Sequence, residues 1–323
     1  MKKSGLWKWK PICLECEEFL KSKQGEKEKF INSISNGDIA EKTRDANDQH
    51  YEVPPEFFKN VLGKRLKYSC SLFQDGSNLD DAEVKMLDLY IQRAEIKNGQ
   101  KILDLGCGWG SFSIYAAEKF PDSKITSISN SFDQIEFINT EAKKKKLKNL
   151  NAIKMDVNNL NLVEKFDRII SIEMFEHIRN YKLVLSVLKH LLNNNGKLFI
   201  HIFCNKKIAY LYEVKHELDW MTKFFFLGGI MPSKDIFNYF TDDLVIKKQW
   251  DVEGIHYSNT SKAWLKNHCK NKKEIIEIFS AHYDDPIVWF YRWKVFFLTC
   301  EVFFAINDGR EYFVSHYLFE KAD

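Results

Sequence analysis

The segment that most restricts how this chain can fold is Lys101-Ile-Leu-Asp-Leu-Gly-Cys-Gly-Trp-Gly-Ser111. An apolar run, Ile102 to Leu105 with Asp104 inside it, leads straight into Gly106, Gly108 and Gly110. The helical spacing of Phe112, Ile114, Tyr115, Ala116 and Ala117 follows at once. A strand, a glycine turn and a helix in that order open a doubly wound sheet, and residues without a side chain let a nucleotide-like ligand approach the backbone. The spacing is G-x-G-x-G rather than the dinucleotide G-x-G-x-x-G, and another acidic residue, Asp156, closes a later strand. A turn that serves only helix–sheet packing is the alternative reading of the glycines.

From Lys101 onward, strand-length apolar runs alternate with helical patterns. The strands fall at Lys101–Leu105, Lys124–Ser129, Asn151–Met155, Phe166–Ile172 and Gly196–Phe203. Helices fall at Ser111–Lys119, Phe132–Lys145 and Tyr181–Leu192, and Leu244–Trp250 and Glu311–Phe319 read as two further strands. This alternation predicts an α/β, Rossmann-like fold with a mostly parallel seven-stranded sheet and helices on both faces. Right-handed crossovers then put the glycine turn at the C-terminal edge of the sheet, where ligands bind. Residues 1–95 read as a helical N-terminal extension that covers the site, and 96–323 as the core. A helical, aromatic insert at about 205–305 reads as a lid.

With 48 basic and 45 acidic residues the net charge is only +3, which gives no electrostatic reason to expect a nucleic-acid partner. Lys143–Lys146 reads as a solvated helix end. The N-terminal residues lack the apolar core of a secretory signal, and the most apolar stretch, Trp289–Ile306, is interrupted by Arg292, Lys294 and Glu301, so no transmembrane segment is expected. Seven cysteines without a regular framework suit a reducing, cytoplasmic protein. Cys13 and Cys16 have zinc-like spacing but no second pair, so no metal is expected.

The glycine turn, the acidic residue before it and Asp156 together resemble the S-adenosylmethionine site of Rossmann-like, class I methyltransferases. Several other segments agree: His50-Tyr-Glu-Val-Pro54, Leu66-Lys-Tyr-Ser-Cys70, Leu79-Asp-Asp-Ala-Glu83, Ser171-Ile-Glu-Met-Phe-Glu-His177 and Asn180-Tyr181. They resemble the cyclopropane-fatty-acid synthase superfamily, which includes the plant coclaurine-type N-methyltransferases. Phe203-Cys-Asn-Lys206, Asp219-Trp220, Gly228-Gly-Ile-Met-Pro-Ser233, Trp264-Leu265, Asn307-Asp-Gly309 and His316-Tyr-Leu-Phe319 resemble the amine-methylating branch. The resemblance implies S-adenosylmethionine as methyl donor. It implies that Tyr68 and Ser69 hold the methionine end, that Asp104, Gly106 and Gly108 lie under methionine and ribose, that Gln134 contacts the ribose and that Asp156 contacts the adenine.

Three residues carry the expected chemistry. Methyl transfer from a sulfonium is an in-line displacement, so a protein has to align the nucleophile and take up a proton. Glu173, Glu176 and His177 follow the fourth strand, and no Lys or Arg occurs from Ile169 to Ile178, so this edge is acidic and suits a cationic substrate. In a helix, Glu173 and Glu176 would share a face, with His177 four residues beyond Glu173 as a neutral proton acceptor. A helix N-terminus with a packed His is the bland alternative. The resemblance also implies a bicarbonate base in the cyclopropane synthases, and Cys70, Glu176, His201 and Tyr257 match its holders, while Phe203 departs from the small aliphatic residue expected beside it. His201, inside an apolar strand, equally suits a satisfied core position. Trp293 and Phe296 match pocket positions of the amine branch, although Trp289, Trp293, Phe296 and Phe297 at helical spacing also suit a core face. The expectation is N-methylation of a hydrophobic small-molecule amine. Alkylation of unsaturated lipid acyl chains, with bicarbonate, is the alternative, and a catalytically silent cofactor-binding relative is a third.

Overall fold

The computed structural model describes residues 24–40, 53–216 and 219–322. Cys13, Cys16 and the first three residues of His50–Pro54 lie outside them. Among the described residues, three helices precede the sheet, α1 (Gln24–Ser33), α2 (Pro55–Val61) and α3 (Leu79–Arg93). Pro54 and Pro55 open α2, where a missing N–H costs nothing. Asn78 and Asp81 cap α3 reciprocally, each side chain accepting the other's backbone N–H. The buried face of α3, Ala82, Glu83, Met86, Leu87 and Tyr90, is spaced at three and four residues and lies on the core.

The core alternates as its pattern predicts: β1 (Lys101–Leu105), α4 (Ser111–Lys119), β2 (Lys124–Ser129), α5 (Phe132–Lys144), β3 (Leu150–Lys154), β4 (Phe166–Ile172), α6 (Tyr181–Leu191) and β5 (Leu192–Asn205). Ser131 and Asn180 cap α5 and α6. After β5 come the short strands β6 (Tyr210–Leu211) and β7 (Ile230–Met231), then β8 (Leu244–Val252), α7 (Gly254–Lys270), α8 (Lys272–Ser280), α9 (Pro286–Phe304) and β9 (Tyr312–Lys321). Seven strands form one sheet in the order β3-β2-β1-β4-β5-β9-β8. β9 runs antiparallel to both its neighbours, while β1 to β5 pair in parallel. The order reverses between β1 and β4, and their C-terminal ends release Gly106 and Glu173 side by side.

The expected helical insert is only partly helical. Residues 205–240 hold the β6–β7 pair, one wide helical turn at Thr222–Phe226 and a 3-10 turn at Ile236–Tyr239. Gly228 at φ 81° and Pro232 interrupt the helical spacing that the aromatics suggest. Helices do occupy 254–304. Phe290, Trp293, Phe297, Cys300 and Phe304 form the buried stripe of α9, and Trp264 and His268 of α7 pack on it. No helix among the described residues is long and apolar enough to cross a membrane.

Candidate active site

Gly106, Gly108 and Gly110 all adopt positive φ, at 79°, 52° and 76°. A Cβ on Gly106 would stand 2.6 Å from Met174 Cγ, and one on Gly110 2.6 Å from Ile138 Cγ1, so both side chains are excluded by space as well as by conformation. The cavity over this turn is lined by Tyr68, Ser69, Asp104, Gly106, Gly108 and Gln134, the residues that the resemblance assigns to the cofactor. Asp156 itself is not in the wall, although its neighbours Met155 and Val157 are, and its Oδ1 accepts the Asn158 N–H at 2.8 Å. Gln134 accepts the Ser129 hydroxyl at 2.7 Å through Oε1, while its buried Nε2 has no partner among the described residues; the hydroxyl of Ser111 is likewise buried and unpaired among them. Bare backbone and unused polar groups around one cavity fit a ligand with sugar hydroxyls, so S-adenosylmethionine suits the residues present.

The loop carrying Tyr68 and Ser69 is braced from below. Glu83, fully buried, accepts the N–H groups of Gly63 at 3.0 Å, Arg65 at 2.8 Å and Lys67 at 3.3 Å. Lys67 is buried too and donates to the Cys70 carbonyl at 2.6 Å; loss of hydration lowers its pKa to about 8. Neither residue is assigned a role by motif reading. Glu83 is distinguishable only as an acidic residue among the inward-facing apolar positions of α3.

Beyond β4 the structure corrects the expected helix. Glu173 takes φ 49°, and only Phe175–His177 forms a single 3-10 turn, so Glu173 and Glu176 do not share a helix face. Glu173 faces the cavity, where Oε1 accepts the Cys70 N–H at 2.9 Å and lies 3.0 Å from His201 Nε2, and Oε2 accepts the Tyr257 hydroxyl at 2.6 Å. Glu176 is fully buried behind the wall and accepts the Phe203 N–H at 2.8 Å. Burial and the neighbouring Glu173 push its pKa well up, and through the Phe203 N–H it braces the turn. His177 lines the cavity with its ring parallel to Phe226 at 5.9 Å, and burial lowers its pKa to about 4. It is a neutral acceptor at pH 7.

The residues implied for bicarbonate thus come together only in part. Cys70, His201 and Tyr257 converge on the Glu173 carboxylate, and Glu176 is turned away to Phe203. Phe203, Tyr212, Met221, Phe226, Phe296 and Phe304 form the apolar wall opposite the glycine turn. Phe296 is in that wall. Trp293 is not: it is fully buried behind it, with Phe57 at 4.7 Å and Phe225 at 5.0 Å, because it falls in the stripe of α9 that packs inward.

Asp104 makes a prediction for stability. Burial raises its pKa from 3.8 to about 7, partly opposed by the Ser113 hydroxyl that donates to it. Folded protein therefore holds this proton between about pH 4 and 7 where unfolded chain does not, and the contribution of Asp104 to stability falls as pH rises through that window. Asp104→Asn cannot ionise. Its stability relative to the parent is expected to increase from pH 4 to pH 7, by up to about 4 kcal/mol, as read from urea midpoints at the two pH values; parallel curves would refute the buried proton.

The family model for Mycolic acid cyclopropane synthetase matches residues 39–310. An (S)-coclaurine N-methyltransferase of Thalictrum flavum subsp. glaucum is 38% identical over 299 residues, covering 90% of this chain and 83% of the relative. The cyclopropane-fatty-acyl-phospholipid synthase of Escherichia coli K12 is 26% identical, over 73% of this chain and 59% of its own length. Among solved structures, a coclaurine N-methyltransferase bound to N-methylheliamine and S-adenosylhomocysteine superposes with a TM-score of 0.89 at 35% identity, covering 93% of this chain and 90% of that one. With the model spanning most of the sequence and the glycine turn and Glu-Met-Phe-Glu-His segment arranged around one cavity, the chain belongs to the mycolic acid cyclopropane synthetase family.

Proposed function

We propose that this S-adenosylmethionine-dependent methyltransferase N-methylates a hydrophobic, cationic small-molecule amine. The observation that carries the reading is the Glu173 carboxylate, which opens into an aromatic cavity beside the glycine turn and is held there by Cys70 N–H and Tyr257 O–H. The similarity to N-methyltransferases supports it. When bound, S-adenosylmethionine supplies an electrophilic methyl on sulfur and leaves as a neutral thioether. Tyr68, Ser69, Asp104, Gly106, Gly108 and Gln134 would hold it, with Asp156 at the adenine end.

Glu173 pairs with the substrate ammonium and takes up its proton, which frees the nitrogen lone pair. Burial raises the pKa of this carboxyl, and Lys67, the Tyr257 hydroxyl and Cys70 N–H oppose the rise. A raised carboxyl is a better proton acceptor than an exposed one. Neutral His177 also lines the cavity, and the aromatic wall strips water from the amine and adds cation–π attraction. The helices over 254–304 act as the lid, and the N-terminal extension as a cover. The free thiols of Cys70, Cys107, Cys204, Cys269 and Cys300 suit a cytoplasmic setting.

Carbon alkylation is disfavoured by the same geometry, because the donors that would hold an external bicarbonate are directed at Glu173. The deciding experiment supplies S-adenosylmethionine with a fully deuterated methyl group, and offers heliamine or, separately, vesicles of unsaturated phosphatidylethanolamine. Methylated heliamine that keeps all three deuterons supports the proposal. A lipid product that keeps two overturns it in favour of ring closure. The acid limb of kcat/KM should lie above the ordinary carboxylate range, since Glu173 must be ionised to pair with an ammonium; a limb at or below pH 4.5 in a rate profile from pH 4 to 9 would exclude Glu173 as the acceptor.

A further inference from the structure

Behind Glu173 runs a buried chain of hydrogen bonds that the motif reading leaves unassigned. His201 on β5 and His316 on β9 are direct cross-strand partners in the sheet register. His316 Nε2 lies 2.9 Å from His201 Nδ1, and both residues are fully buried. Arg93, in the last turn of α3, reaches His316 Nδ1 at 2.7 Å, and the Tyr90 hydroxyl, one turn earlier, lies 2.9 Å from His201 Nδ1. His201 Nε2 closes the chain at 3.0 Å from Glu173 Oε1. The line runs from a half-buried guanidinium through two imidazoles to the carboxylate in the cavity.

Its direction is set by chemistry. A guanidinium can only donate, so His316 Nδ1 must be the acceptor, and neutral His316 then carries its proton on Nε2. That proton points at His201 Nδ1, which must accept, so His201 carries its own proton on Nε2 and donates it to Glu173. The opposite tautomer of His201 would donate from Nδ1 to Tyr90 and turn a lone pair on the carboxylate. Arg93 excludes it from two residues away. Resting on the amine-binding reading of Glu173, we propose that Arg93 and His316 are positioning residues that lock the His201 tautomer and so keep Glu173 aimed and ionised.

Around this chain the groups facing the imidazoles are Arg93 and Tyr90 from α3, Lys67 from the loop before it, and Glu173 after β4. Lys67 and Arg93 both repel a second proton, and burial does the same, so the pair stays neutral at working pH. The Tyr90 hydroxyl does not reverse the order, because it can donate to the same bare Nδ1 of His201 while its oxygen accepts from Ser69, which interacts with it.

The test pairs a leucine and a glutamine at position 316. In His316→Gln the amide oxygen can accept from Arg93 and the amide nitrogen can donate to His201, which preserves the direction of the chain; His316→Leu removes it. With heliamine as the amine, His316→Leu is expected to lower kcat at least tenfold with KM changed less than threefold, and His316→Gln to recover kcat to within threefold of the parent. Independently of turnover, proton–nitrogen spectra of histidine-labelled full-length protein should show His201 and His316 with bare Nδ1 and protonated Nε2. His201 signals should lose that uniform state in Arg93→Met.

Equal kcat in the leucine variant and the parent would overturn the proposal. So would a folded glutamine variant as slow as the leucine one, or a His201 protonated on Nδ1 in the parent. Failure of the amine reading looks different: the parent itself would leave heliamine unmethylated, while the nitrogen spectra would still report the tautomers.

Discussion

Glu173→Gln is expected to reduce kcat/KM for an amine substrate about 10²–10³-fold while the protein stays folded. The carboxylate accepts from Cys70 N–H and Tyr257 O–H and faces His201 Nε2, so it is held as an acceptor on both oxygens. Glutamine has the same shape but one acceptor oxygen, and its NH2 group would be turned on at least one donor. It also removes the negative charge proposed to pair with an ammonium, and losing one partner of a poorly hydrated charge pair costs about 2–5 kcal/mol. Glu173→Asp keeps the charge and loses reach, and should fall between the two. Steady-state rates with heliamine, checked against the unfolding temperature of each variant, decide the matter. A glutamine variant within threefold of the parent would remove Glu173 from substrate binding.

The second large effect concerns stability. Gly254 opens α7 directly after β8, and a Cβ there would stand 2.0 Å from the Tyr312 carbonyl oxygen and 2.5 Å from that of Phe304. Both obstacles are backbone, so neither can rotate aside as a side chain would. Gly309 interlocks from the other side, since its own Cβ would meet the Ile255 nitrogen at 2.4 Å. Gly254→Ala must separate α7 from the end of α9 and the start of β9, and should destabilise by at least about 3 kcal/mol, beyond ordinary overpacking. Thermal unfolding followed by circular dichroism should fall by roughly 5 °C or more. Because Tyr257 lies three residues into the same helix, the surviving folded fraction should also turn over more slowly as its bond to Glu173 lengthens. An unchanged melting temperature would mean that the three-way junction relaxes freely.

Local pattern was a good guide wherever one physical rule governed one segment. β1, β2, β4 and α4 begin and end where apolar periodicity and the glycine turn place them. The family resemblance, not local pattern, pointed to Tyr68, Ser69, Asp104, Gly106, Gly108, Gln134, Tyr257 and Phe296, which line the cavity with Glu173 and His177, and to Cys70, Asp156, Glu176, His201 and Trp293, which do not. Errors arose where two rules compete. Trp293 and Phe296 are three residues apart on one helix, and spacing cannot say which of them meets a cavity and which meets the core. Glu173 and Glu176 carry the same side chain in one motif. A single left-handed residue at Glu173 sends them to different environments, one into the cavity and the other to a backbone amide behind it.

By itself, then, the amino-acid sequence determined the class of fold, the edge of the sheet that carries the site and the residue types gathered there, because strand alternation, helix periodicity and the conformational freedom of glycine act over a few neighbouring residues. Tertiary structure alone decided which carboxylate faces the substrate cavity and what holds it. Cys70, His201, Tyr257, Arg93 and His316 come from five separate segments, and it is the pairing of β5 with β9 and the packing of α3 and α7 on the sheet that bring the first three onto the Glu173 carboxylate and line His316 and Arg93 up behind His201. Hydrogen bonding acts over about 3 Å, a distance that sequence separation does not encode.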